Sequence, residues 1–308
     1  MIGAIWTWAW PWWSVIVGIN VVNFIIGLYL FWKSRRRDFN GLKSYHKTMR
    51  IAGIIFVGVA MYRSIFVSNY LLQLAWFDTI FNSTLIIRFL ATFAELAFAY
   101  LIMSSMLQLN KEIPSEVTKE QRIKSFLEHK APYLFFICLA IAQVFAYGGA
   151  ITKVDLFFAI EETLWGVAFL SIAPLAIIQF KRIRSNKIYT KEELKPYKIL
   201  TLIVMVFCIG YSGYSIFYHL PIEYWPSAIN QLQAGNPEPA FQWGWSAIKD
   251  TLLIVNVTRD YSTWGGMGFV IWHSGYFTLC GWMVLFFMNG TRLRIKKKSN
   301  STERILKG

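Results

Sequence analysis

Long apolar runs alternate with short polar blocks from one end of the chain to the other. The runs are too unbroken for a half-buried strand and too uniformly apolar for a surface helix. Seven of them reach about the 20 residues that a helix needs to cross bilayer hydrocarbon: Trp12–Trp32, Ile51–Leu71, Ile80–Gln108, Ala131–Ala150, Leu156–Phe180, Ile199–Tyr218 and Met267–Met288. The pattern predicts an all-α fold, a polytopic bundle of seven transmembrane helices forming one domain over residues 1–308. The first run follows "MIGAIWTWAWPWW", has no basic stretch before it and carries its positive flank after it. It reads as a retained helix rather than a removable signal. Its tryptophans suit the outer interface, where amphipathic rings settle at headgroup level, with a cofactor-stacking cluster as the alternative.

The polar blocks set the threading. Basic residues crowd into "KSRRRDFNGLKSYHKTMR", "NKEIPSEVTKEQRIKSFLEHK", "KRIRSNKIYTKEELKPYK" and "NGTRLRIKKKSNSTERILKG", after the first, third, fifth and seventh runs. Of the 31 lysines and arginines, only Arg63, Arg88, Lys153, Lys249 and Arg259 lie elsewhere. The positive-inside rule then predicts an outer amino terminus, a cytoplasmic carboxyl terminus and a basic cytoplasmic tail at 289–308. The expected location is the cell membrane, the inner one in a bacterium. Residues 219–266 become a long outer loop rich in Pro, Gly and Trp, a candidate lid. Within it "AIKDTLLIVNV" fits a short helix along the membrane surface.

Composition agrees with this reading: mean hydropathy is +0.42, with 56% hydrophobic and 16% charged residues. A net charge of +14 would suit a nucleic-acid partner. Each basic block abuts an apolar run, however, which assigns the charge to the lipid bilayer and excludes nucleic acid. Cys138, Cys208 and Cys280 sit inside apolar runs without metal-ligand spacing and read as core packing. No metal or cofactor is expected. Four histidines are too few for a membrane di-iron site, only His219 and His273 are placed for haem, and no run holds a lysine for a retinal Schiff base. Walker and Rossmann glycine loops are absent.

The candidate chemistry lies in the charges inside the runs. Counting about 1.5 Å per residue, Arg63 and Arg88 each fall about 12 Å below the outer surface, Glu161 and Glu162 about 7 to 9 Å, and His273 about 9 Å. A mid-helix arginine costs about 2.5 to 3.5 kcal/mol to insert and is expected to face the bundle with a partner. Thr84, Arg88, Thr92 and Glu95 share one helical stripe. Arg88 and Glu95 are about 10 Å apart along the axis, so direct pairing is not expected. Asp78 is read as capping the third run, and His273 as donating to a nearby carbonyl or carboxylate.

These residues predict an outward-facing intramembrane site of Arg63, Arg88, Asp78, Glu95, Glu161, Glu162 and His273 that binds or transports a small anionic ligand or lipid headgroup. The arginines clamp the anion and the glutamates balance charge or move protons. Two other readings remain. One is a membrane-embedded hydrolase or transferase in which Glu161 or Glu162 activates a nucleophile with His273 assisting. The other is a sensor or assembly subunit whose polar cluster is purely structural. "EETLW" at Glu161, followed by His219 and His273, resembles in order the CAAX-processing membrane proteases, which carry a glutamate pair and then two single histidines. Gly166, Ser215 and Phe277 stand where that family has arginine, phenylalanine and asparagine or aspartate. The likeness stays one of order, and the chain is not assigned to the family.

Overall fold

The structure, a computed structural model, describes residues 8–34, 42–69, 73–113, 122–234, 240–253 and 256–288; the basic tail at 289–308 lies outside them. The chain forms α1 (Ala9–Ser34), α2 (Lys43–Ile65), β1 (Ser68–Asn69), β2 (Leu74–Ala75) and, after a 3-10 turn at Ile80–Asn82, α3 (Thr84–Glu112). Then come α4 (Arg122–His129), α5 (Ala131–Thr152), α6 (Asp155–Ser185) and α7 (Lys191–Tyr214), which continues as a π-helical stretch (Ser215–Tyr224) into α8 (Trp225–Gln233). Last are α9 (Gly244–Leu253), β3 (Asn256–Val257), α10 (Gly266–Gly275), a π-helical stretch at Tyr276–Cys280 and α11 (Gly281–Phe287).

Among the described residues seven helical stretches are long and apolar enough to cross a membrane: α1, α2, α3, α5, α6, the continuous helix Lys191–Gln233 and the continuous helix Gly266–Phe287. Helix is the solution such sequences require, because hydrocarbon offers nothing to an unpaired N–H or C=O. Polar residues stop the helices where the apolar pattern ends. Ser83 caps α3 by accepting from Ile86 N at 3.4 Å. Thr190 and Glu193 close a capping box on α7, with bonds of 3.2 and 2.8 Å. Between α5 and α6 the chain reverses through Lys153 and Val154, with Lys153 at φ 63°, a left-handed conformation uncommon for a side chain other than glycine.

Packing follows chain order. α1 lies on α2, α2 on α3, α5 on both α3 and α6, and α6 on α7, while α11 returns to α1, α2 and α3. The shared core includes Phe56, Phe98, Leu101, Phe135, Phe169, Val204 and Phe277. α1 is the least buried of the seven stretches, and Val15, Val22, Ile25 and Trp32 point outward. Exposed apolar surface of that kind fits lipid rather than water.

One face of the bundle is aromatic. Trp8, Trp12, Trp76 and Trp264 pack ring against ring, with centroids 5.7 to 6.0 Å apart, and Trp76 and Trp264 are fully buried. Antiparallel β1–β2 and parallel β2–β3 form a small sheet beside them. Arg259 lies over Trp10 at 5.0 Å and donates to the Trp76 carbonyl at 2.7 Å. At the opposite face Arg182 pairs with Glu128 and donates to the Ile113 carbonyl at 2.8 Å. The two are called the tryptophan face and the basic face below.

Three expectations are corrected. α2 ends at Ile65, where Phe66 caps it and the chain turns into β1; Leu71 lies outside the described residues. The sixth run does not stop at Tyr218 but stays helical to Gln233, so the segment expected as a loop from residue 219 begins as helix. Pro221 falls in the π-helical stretch and Pro226 in the first turn of α8, where a missing N–H is tolerated. Asp78 is exposed and does not cap α3, a role held by Ser83. The expected short helix in "AIKDTLLIVNV" is present as α9 but gives way to β3 at Asn256.

Candidate functional site

α3 places the stripe Thr84, Arg88, Thr92 and Glu95 toward its neighbours, with Arg88 1% exposed. Arg88 does pair with Glu95: Nη2 to Oε2 is 2.7 Å, which overturns the expectation from axial spacing. Spacing between backbones omits the reach of two side chains, and on a shared face an arginine and a glutamate close two turns. Gln143 of α5 completes a triangle, accepting from Arg88 and donating to Glu95 Oε2 at 2.9 Å. Glu161 of α6 adds a second carboxylate, 3.5 Å from Arg88 Nη1, while its Oε2 is buried without a hydrogen-bond partner among the described residues. Arg88 is thus enclosed by two carboxylates and an amide drawn from three helices.

Adjacent residues on a helix point about 100° apart, and Glu162 accordingly leaves this cluster for α7. Its Oε2 accepts from the Tyr211 hydroxyl at 2.9 Å and lies 3.6 Å from His219 Nδ1. His219 Nε2 is 3.0 Å from Glu223 Oε2 one turn on. The π-helical stretch at Ser215–Tyr224 aims His219 inward, and Gly166 admits it: a Cβ there would stand 2.8 Å from Ser215 Oγ. π-bulges of this kind recur at functional sites.

Arg63 differs from Arg88 in its company. It is 5% exposed and has no ion pair among the described residues. Its guanidinium stands 5.1 Å from the Phe277 ring centroid and 6.0 Å from that of Tyr276. His273, 2% exposed, is within electrostatic reach of Arg63. The His273 ring lies against Phe277 at 4.5 Å, Trp12 at 5.1 Å and Phe269 at 5.3 Å. The donation expected from His273 is not made at Nδ1, which has no partner among the described residues. No protein-family model, curated protein or solved structure matches this chain.

The predicted site residues therefore divide into two groups and two single residues. Arg88, Glu95 and Glu161 come together; Arg63 and His273 form an aromatic-walled neighbour; Glu162 turns to His219, and Asp78 is apart at the surface. Glu161, Glu162 and His273 are not assembled into one acid–base pair. Gln143, Tyr211, Glu223 and Tyr276 are not singled out by the sequence, and His219 is noted there only as a candidate haem ligand and for its order after the glutamate pair. A glutamine in the otherwise apolar "CLAIAQVFAYGG" was the signal for the first, and the four-residue spacing of His219 and Glu223 for another. An apolar cavity of about 410 Å³ lined by Trp8, Trp12, Tyr261, Met267 and Val270 opens at the tryptophan face. Among the described residues no group of three or more His, Cys, Asp or Glu has metal-binding geometry.

Proposed function

We propose that this multi-pass membrane protein binds or carries a small anion or an anionic lipid headgroup, reached from the tryptophan face, with Arg63 as the cationic contact. The observation that carries the reading is Arg63 itself, buried within the bundle with no carboxylate beside it among the described residues. A guanidinium keeps its charge in any protein, and its mid-membrane cost of about 2.5 to 3.5 kcal/mol is only partly offset by aromatic faces worth about 1 to 2 kcal/mol. An anion supplies the remainder. Its apolar portion, where it has one, fits the cavity over Trp12. Of the two arginines expected to clamp the anion, Arg63 remains for the role, because Arg88 is engaged by Glu95, Glu161 and Gln143.

The positive-inside rule makes the tryptophan face the outer one and the basic face cytoplasmic, in a cell membrane. Thermal shift of the purified protein tests the reading with two probes: inorganic phosphate in a neutral detergent, and phosphatidylglycerol against phosphatidylcholine in mixed micelles. The native chain is expected to be stabilised by one of them, Arg63→Lys to retain part of the shift and Arg63→Ala to lose it. A full shift in Arg63→Ala would remove the proposal. Phosphate alone marks a soluble anion, and phosphatidylglycerol alone a headgroup.

A further inference from the structure

We propose that Glu223, His219 and Glu162 form a proton-uptake relay leading from the tryptophan face to the Glu162 carboxylate held between α6 and α7. The Glu223 side chain is 46% exposed, that of His219 14% and that of Glu162 11%. The contacts run in sequence, 3.0 Å from Glu223 Oε2 to His219 Nε2 and 3.6 Å from His219 Nδ1 to Glu162 Oε2. The second is too long for a hydrogen bond, and a ring shift of about 0.5 Å closes it. Both steps use the two different nitrogens of one imidazole, which is what a shuttle requires. Glu162 is next in sequence to Glu161, which has a buried oxygen without a partner among the described residues.

The groups facing the relay are few. Tyr211 of α7 faces Glu162; Tyr214 and Tyr224 flank the His219 ring at 4.7 Å; Arg88 and Glu95 of α3 face Glu161. Ser212 and Ser215 each hold a buried hydroxyl without a partner among the described residues on the same stretch of helix.

The transfer balances without a co-reactant. Glu223 takes a proton from water. It passes that proton to Nε2 of the Nδ1–H tautomer of His219 as the Nδ1 proton leaves for the Glu162 carboxylate. The imidazole ends neutral as the Nε2–H tautomer, a turn of the ring then brings that N–H round to face Glu162, and one proton has moved from water to Glu162.

The test needs no ligand and is independent of the anion reading. In proteoliposomes, an acid jump followed by time-resolved infrared spectroscopy reads the protonated-carboxyl band. Glu162→Gln is expected to delete one component of that band. Glu223→Gln and His219→Gln should keep its amplitude but slow its appearance about tenfold or more, as loss of a general acid–base group does, with Glu223→Asp restoring part of the rate. Glu223→Gln replaces an exposed side chain and decides the matter even where His219→Gln fails to fold. A native rate in Glu223→Gln, or an unchanged band in Glu162→Gln, would reduce these contacts to a static ion pair.

Discussion

Arg63 and Arg88 have the same charge and nearly the same burial, yet their removal should differ. Arg88→Ala leaves Glu95 and Glu161 facing each other across a vacated centre, and breaking a buried pair from one side costs about 3 to 5 kcal/mol. Arg63→Ala orphans no carboxylate among the described residues, so its cost should stay at the about 1 to 2 kcal/mol of a lost cation–π contact, below that of Arg88→Ala. Denaturation of the two variants side by side in one detergent measures the difference; equal losses would mean that Arg63 has an acidic partner. The sequence made the presence of both charges plain, because an arginine inside an apolar run stands out by type alone. It did not say which one was neutralised. That depends on Gln143 and Glu161 arriving from two other helices, and on side-chain reach along α3, neither of which is written in spacing.

Helices reveal their existence in sequence more readily than their ends. The seven apolar runs were legible because hydrocarbon thickness imposes a length that few soluble helices share. The end of α2 was not, since "IFVSNYLL" stays apolar while Val67 pairs its backbone with Trp76 rather than with the preceding turn. The extension of α7 was hidden by Pro221 and Pro226, which ordinarily mark breaks. Two substitutions probe such junctions. Gly166→Ala puts a methyl group 2.8 Å from Ser215 Oγ and should cost about 1 to 3 kcal/mol, with helix contact between α6 and α7 loosened. Lys153→Gly should gain about 1 kcal/mol by relieving a left-handed residue that carries a side chain. Burial holds the Lys153 ammonium below its ordinary value, with Asp250 opposing. The folded state therefore binds that proton less tightly than the unfolded one, and stability rises as pH climbs from the folded value toward the ordinary lysine range. In Lys153→Gly that alkaline rise should flatten, as thermal melts across the range would register.

For the whole molecule the first question is which face meets the cytoplasm. The three native cysteines are free and buried, so single cysteines introduced at exposed positions report without background. Ser262→Cys is expected to react with an impermeant maleimide on intact cells, and Lys187→Cys only after the membrane is opened; the reverse order would invert the threading. The sequence held this expectation in its basic blocks, but it gave no sign that the tryptophans of the first run would meet Trp76 and Trp264 across two connections. That gathering has a spectroscopic consequence. With neighbouring indoles only 5.7 to 6.0 Å apart, light absorbed by one can migrate among Trp8, Trp12, Trp76 and Trp264 before it is emitted. The intrinsic ultraviolet glow of the chain is therefore weighted toward one end, and any quencher seated over Trp12 would darken several chromophores at once.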